Sequence, residues 1–501
     1  MKRRAFLGSS LAATTLMEAA WSRASIAQET VWDFIVVGAG TAGLPAAIFA
    51  ADRGAKVLVI EVAPTLGGTL TIAGGEICGA GTKTQARFGL EGDHPDKHFA
   101  DVMRITDGLA DPNIVRMTVD TATAMIDWID DRGWDCRPGH FLDGASPGRP
   151  GYSTRRYYQA EGQGKAISDL LARELGMRTD QNRVTVLTGT KASELLTSDS
   201  GSVEGVRATA DDRSFAYRGR HVLITTGGYS MNPDMFMNLV KVPAYVNDSY
   251  PYSLGDGLTM AANVGAALRG MDLHRSGSGS ILTTDKWPAA VYARFETRPQ
   301  VRAPWEIWVN DYGTRYVNEE SPNNTDREQA LLRQPRLRYT LVFDDAILNT
   351  APIGIPTWTR DKLGAQFNVQ PMFYKADSVE ELAKRADLDS KGLVETIAAY
   401  NAGIANGSDP FGRQHRPAPI AKAPYYAIAQ FGDSATSSAG ISVNAGLQAV
   451  RADGTPIPNL YAAGEALGSG ATLGKAFCPG MMITPAMTGG RWLGLNLPLD
   501  A

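Results

Sequence analysis

The chain is poor in the residues that staple or metallate a fold. Its three cysteines (Cys78, Cys136 and Cys478) among 501 residues cannot form a disulfide framework. None lies in a Cys-x-x-Cys-His pattern, which excludes a covalently attached c-type haem. Of six histidines only His94 and His98 have helical i, i+4 spacing. Pro95 lies between them and no third ligand is near, so no metal site is expected. The one mildly apolar run, near the N-terminus, is interrupted by Glu18 and small polar residues, so no integral membrane segment is expected. The net charge is −4, with no basic patch interleaved with aromatics and hence no sign of a nucleic-acid partner. Repeats and low-complexity tracts are missing too. Glycine is abundant instead, at 53 residues, which suits a fold whose backbone approaches a ligand closely at several places.

Residues 1–27 are set aside from the fold. Lys2-Arg3-Arg4-Ala5-Phe6-Leu7, an apolar stretch and the small-x-small Ser25-Ile26-Ala27 resemble a twin-arginine export signal. The expected location is therefore periplasmic or otherwise exported. The segment carries Lys2, Arg3, Arg4 and Arg23 against Glu18, so its removal takes the charge to −7.

The apolar, β-branched run Trp32–Val37 reads as a buried strand, followed by the turn Gly38-Ala39-Gly40-Thr41-Ala42-Gly43 and a small-residue helix over 44–53. Lys56–Glu61 reads as a second strand, which completes a βαβ unit. In such a unit Gly38 permits the tight turn, Gly40 lets backbone approach a pyrophosphate, and Gly43 lets helix and strand pack closely. The helix N-terminus offers free N–H groups to phosphate, and Glu61 is placed to accept from an adenosine ribose. Helical periodicity runs over 98–132, Gly162-Gln163-Gly164-Lys165 opens another helix, and Val184–Leu187 with Val203–Ala208 read as paired strands. His221–Thr226 is a buried strand that ends in Gly227-Gly228. From about residue 276 short strands, aromatics and prolines take over, and after about 432 the glycine-rich character returns.

Gly67-Gly68-Thr69 and Gly74-Gly75 form a second glycine-rich loop after Glu61, and Ile457–Glu465 is a strand that ends in Gly464-Glu465. In this order, with Gly255-Asp256-Gly257, Gly313–Glu319 and Pro485–Thr488, these segments resemble the FAD-binding flavoproteins of the fumarate reductase and 3-ketosteroid dehydrogenase superfamily. The resemblance covers nearly all of the chain after the signal. It implies an α/β fold: a Rossmann-like FAD-binding domain split in sequence (28–275 and 433–501) around an inserted α+β capping domain (276–432). It implies that Glu465 binds the ribityl hydroxyls and that a helix starting near Met482-Ile483 aims its N-terminus at the flavin's pyrimidine edge. Ala192, Thr226, Gly227 and Asp256 complete the expected FAD contacts. No second glycine fingerprint follows a strand, so a dedicated NAD(P)H domain is not expected. Electrons are expected to pass to or from a small carrier, a quinone or oxygen.

The chemistry implied by the resemblance is hydride exchange between flavin N5 and a C–C bond α,β to a carbonyl of a small-molecule substrate. A side chain handles the neighbouring proton. Arg327 matches the proton-donating arginine of fumarate reductases and Arg302 a second relay arginine. The relay's acid falls at Pro299, the substrate histidine at Thr436 and the C-terminal substrate arginine near Phe477. A small dianion therefore lacks its clamp. The stretch Cys478–Thr488 is closer to the ketosteroid dehydrogenases, in which the glycine matching Gly480 polarises a ketone through its N–H. The tyrosine expected just before it is Ala476. Phe477, Met481, Trp305 and Trp308 favour an uncharged, aromatic or steroid-like substrate. Oxidation of an alcohol or amine, and non-catalytic flavin or ligand binding, are the alternative readings.

Overall fold

A computed structural model describes residues 30–499 together with Arg23 and Ile26. The export-signal reading falls outside the described residues.

The fold is built around one parallel sheet. Strand β1 (Val31–Val37), helix α1 (Gly43–Asp52) and β2 (Val57–Ile60) form the expected βαβ unit. Three further strands extend the sheet, β3 (Val184–Leu187), β4 (Arg213–Ile224) and β5 (Pro456–Ala462), giving the parallel order β5-β4-β1-β2-β3. The near-continuous apolar runs in β1, β2 and the end of β4 are those of strands covered on both faces. One pairing differs from expectation. Val184–Leu187 does not pair with the 203–208 strand but lies parallel to β2, while Val203–Ala210 joins an antiparallel meander with Lys191–Thr197 and β4. Local pattern identified each strand, but it carries no information about which neighbour a strand chooses.

The last helix, α2 (Ile483–Asn496), lies in close backbone contact with α1. A Cβ on Gly490 would collide with the Ala42 carbonyl, and one on Gly494 would meet Ala46 O at 2.5 Å. The small residues of α1 and these glycines thus join the two ends of the sequence. The periodic stretch expected over 98–132 is two helices, Pro95–Ile105 and Pro112–Asp130, each started by a side-chain cap and a proline.

Between Gly277 and Asp433 a second sheet forms, antiparallel throughout, in the order Val291–Arg294, Gly277–Leu282, Tyr425–Asp433, Arg338–Asp344, Ile307–Val309. The Gly313–Glu319 anchor is structural: both Glu319 carboxylate oxygens accept from Arg315, at 2.8 and 2.7 Å, and Trp308 N donates to it. Trp308, expected as a candidate substrate wall, is buried against Tyr339, with ring centroids 5.0 Å apart. Trp305 packs on His415 instead.

His98 is fully buried beside Arg156, with neither ring nitrogen hydrogen-bonded among the described residues. Burial, reinforced by Arg156, pushes its pKa down from 6.5 to about 3. Between those values the unfolded chain binds the proton and the folded one does not, so stability falls as the pH drops through 6.5 toward 3. The loss attributable to this one group is on the order of 5 kcal/mol. Thermal melts of His98→Leu are expected to show a shallower acid slope than wild type over that window; identical slopes would show that His98 titrates normally.

Candidate active site

The C-terminal ends of β1, β2, β4 and β5 open onto a cleft of about 1380 Å³, mouth included. Such a crevice at the strand ends is where parallel α/β sheets bind ligands. Of the residues expected to meet the cofactor, Gly38, Gly40, Thr41, Ala42, Glu61, Gly68, Thr69, Ala192, Thr226, Gly227, Asp256, Gly464, Glu465, Met482 and Ile483 all line it.

The glycines divide by role. Gly38 has φ +100°, and a Cβ there would lie 2.6 Å from Thr225 O. Gly43 is packed so that a Cβ would strike the Gly38 carbonyl. Gly40 differs: a Cβ would meet nothing closer than Gly68 Cα at 3.8 Å, because it faces the cleft. Ala39 points into the core, and its N–H donates to Glu61 Oε2 at 2.6 Å. Gly67, Gly74 and Gly75 do not reach the cleft. Gly67 sits under Ser168 and Thr71, Gly74 abuts the Glu76 carboxylate, and Gly75 backs onto Gln163-Gly164, so these three shape the second loop.

The carboxylates come from opposite ends of the chain. Glu61 also accepts from Ala63 N at 2.8 Å, yet burial outweighs these amides and raises its pKa. Glu465 Oε1 accepts from Ser437 N at 2.8 Å, whereas Oε2 has no partner among the described residues. Burial raises its pKa as well. Both helices that start at the cleft, α1 and α2, lack a side-chain N-cap. Their first-turn amides are left to whatever fills the cleft. A glycine-floored approach, uncapped helix ends and an unpaired carboxylate oxygen fit a dinucleotide with phosphates, ribose hydroxyls and a polar ring edge. Sequence reasoning missed Lys191, which pairs with Asp256 at 3.0 Å, and Tyr250 and Tyr252, which also line the cleft. None of them sits in a motif.

The expected catalytic residues separate on inspection. Arg327 is buried in the helix Asn324–Leu331. Its Nη atoms donate to Ser321 O and Asn324 Oδ1, its Nε has no partner, and no carboxylate lies within ion-pair distance among the described residues. Burial pushes its pKa down. Arg302 forks onto the buried Glu306 at 3.0 and 2.9 Å and donates from Nε to Pro352 O. Such a double ion contact holds the arginine in place. Gly480 is buried at φ +77° against Ile77 and Cys78, and its N–H has no acceptor among the described residues. Tyr152 and Tyr158 serve packing, with hydroxyls on Pro479 O and on Gly79 O. Burial pushes the Cys78 thiol up to about 11, which leaves it an unreactive thiol.

A parallel sheet with this glycine turn, two uncapped helix ends and paired acids at its strand ends defines a dinucleotide-dependent oxidoreductase. The comparisons name the cofactor: residues 33–478 match the FAD binding domain family, and the chain belongs to it. It is an FAD-dependent oxidoreductase. A fumarate reductase (cytochrome) of Shewanella frigidimarina is 29% identical over 94% of this chain and 77% of its own length. A urocanate reductase of Eggerthella lenta is 27% identical over 93% and 74%. In fold, the chain is similar to a 3-ketosteroid delta1-dehydrogenase from Sterolibacterium denitrificans, with a TM-score of 0.65 and 19% identity over 93% of this chain and 98% of that one.

Proposed function

We propose that this protein exchanges a hydride between flavin N5 and a C–C bond α,β to a carbonyl, acting on an aromatic or steroid-like substrate that lies between the cleft and a cap formed by residues 276–432. The observation that carries this reading is the cleft itself, where Gly40, Glu61, Gly464 and Glu465 converge beside the first turn of α2. Relatives named for reducing fumarate and urocanate support a C=C as the reacting bond.

FAD held there supplies a two-electron hydride donor or acceptor. Glu61 and Glu465 would accept hydrogen bonds from its ribose and ribityl hydroxyls. The uncapped N-terminus of α2 would stabilise negative charge on the reduced ring. Arg327, a buried cation with no ion pair among the described residues, is the group assigned to hold or deliver the proton at the carbon next to the one that takes the hydride. The free N–H of Gly480 is available to polarise a carbonyl. Arg302 acts through Glu306 as a positioning residue in the cap. Export through the twin-arginine signal, and electron exchange with a small carrier, a quinone or oxygen, belong to the same reading.

An anaerobic screen of flavin bleaching and reoxidation with steroids, enones, aromatic acids and dicarboxylates tests it. A cognate pair that differs by a C=C is expected. A product with a new C=O and no C=C would overturn the reading.

A further inference from the structure

A second cluster of charge lies where the loop 143–152 meets the cap. Arg149 in that loop and Arg275, just before the first cap strand, both approach the Phe477 ring, their guanidinium carbons 4.9 and 5.5 Å from its centroid. They share one carboxylate, buried Glu328, with Arg149 Nη2 at 3.6 Å from Oε1 and Arg275 Nη1 at 3.4 Å from Oε2. Arg149 donates no shorter side-chain hydrogen bond to any described residue. The other nearby charges cancel or face water: Arg298 forks onto Glu296 at 2.7 and 2.6 Å, and Asp326 is exposed. Two guanidiniums therefore share one carboxylate, at contacts of 3.4 and 3.6 Å, in a half-buried place, an arrangement that costs free energy until an anion joins it. Burial, then the charge on Arg275, pushes the pKa of Arg149 down, as expected of a crowded cation.

The cluster is joined to the cleft through the 477–482 segment. A Cβ on Gly144 would meet Pro479 at 2.5 Å, and one on Gly148 would meet Asn324 Oδ1 at 3.0 Å, so the loop is wedged between the 477–480 segment and the Arg327 helix. Met482, two residues beyond Gly480, lines the cleft.

We propose that Arg149 and Arg275, braced by Glu328 and Phe477, bind the carboxylate of an α,β-unsaturated monocarboxylic acid with an apolar or aromatic β-substituent. The inference rests on the proposed hydride chemistry and narrows its substrate. An uncharged substrate was expected because the family's clamp positions hold Thr436 and Phe477. The tertiary structure supplies cations from two other segments and sets them on the Phe477 ring. Two adjacent guanidinium forks match one carboxylate. Arg327 has both Nη atoms committed to Ser321 and Asn324, so a second carboxylate at the far end of a small diacid finds no clamp.

The test is a flavin difference-spectrum titration of the purified holoenzyme with cinnamate, methyl cinnamate and fumarate. Cinnamate is expected to bind about 10- to 100-fold more tightly than its ester, as charge-assisted hydrogen bonds allow, and more tightly than fumarate. Arg149→Gln and Arg275→Gln, each with its flavin band retained, are expected to bring the ester-to-acid Kd ratio toward one. Arg149→Lys is expected to restore part of it. Equal binding of acid and ester by wild type, no binding of cinnamate, tighter binding of fumarate, or an unchanged ratio in both Gln variants would each overturn the proposal. Failure of the hydride reading is distinguishable: acid preference would persist while no C=C compound reoxidised the reduced flavin.

Discussion

Arg327→Leu is expected to slow flavin reoxidation by a cognate C=C substrate by about 10²- to 10⁴-fold, the range for losing a positioned general acid. FAD should remain bound, because Arg327 is not among the residues lining the cofactor cleft. The mutation also leaves Ser321 O and Asn324 Oδ1 without their donor, so a fall in stability of about 1–3 kcal/mol should accompany it. Two readouts separate these effects. A proton-handling role predicts that kcat falls far more than KM rises, with Arg327→Lys retaining a measurable rate. A purely structural role predicts that rate loss follows Tm across Leu, Gln and Lys. Stopped-flow reoxidation beside thermal melts decides between them, and a full rate in any well-folded Leu variant would remove Arg327 from the mechanism.

The second large effect distinguishes two glycines three residues apart. Gly40→Val is expected to fold but to purify without flavin, because its side chain enters the cleft without striking protein. Gly43→Val is expected not to fold stably, because its Cβ would overlap the Gly38 carbonyl and approach Thr225 Oγ1 at 2.8 Å. Backbone overlap of that kind cannot be relieved by a rotamer change and falls among the severe packing defects. The ratio of flavin to protein absorbance, read with circular dichroism, checks both. Yellow Gly40→Val protein would mean that the cofactor does not pass over this turn.

The cofactor half of the site was legible because its demands are local. Glycines at fixed spacing, a flanking strand and an acid at a strand end are each imposed by close backbone approach to one ligand, so they survive as a pattern between Gly38 and Glu61. The structure then separated positions that look alike in sequence: Gly68 and Thr69 reach the cleft, whereas Gly74 abuts the Glu76 carboxylate and Gly75 packs on the helix that begins at Gln163. The catalytic half was less legible. Arg302 and Arg327 were equivalent as family matches, and only their neighbours told them apart. The buried carboxylate of Glu306 neutralises Arg302, while Arg327 meets carbonyl oxygens alone.

By itself, then, the sequence determined the βαβ unit, the dinucleotide turn and the order of segments that marks an FAD-binding oxidoreductase. The first two follow from short-range sterics and hydrogen bonding, and the third from a resemblance to a known family. The tertiary structure decided which strands pair, how Gly490 and Gly494 bring the C-terminal helix onto α1, and where charge is left unbalanced. Arg149, Arg275 and Glu328 are far apart in the chain and belong to no motif. Their shared electrostatics exist only because folding sets both arginines on one phenyl ring and against one carboxylate, and net charge in a half-buried place depends on neighbours rather than on spacing.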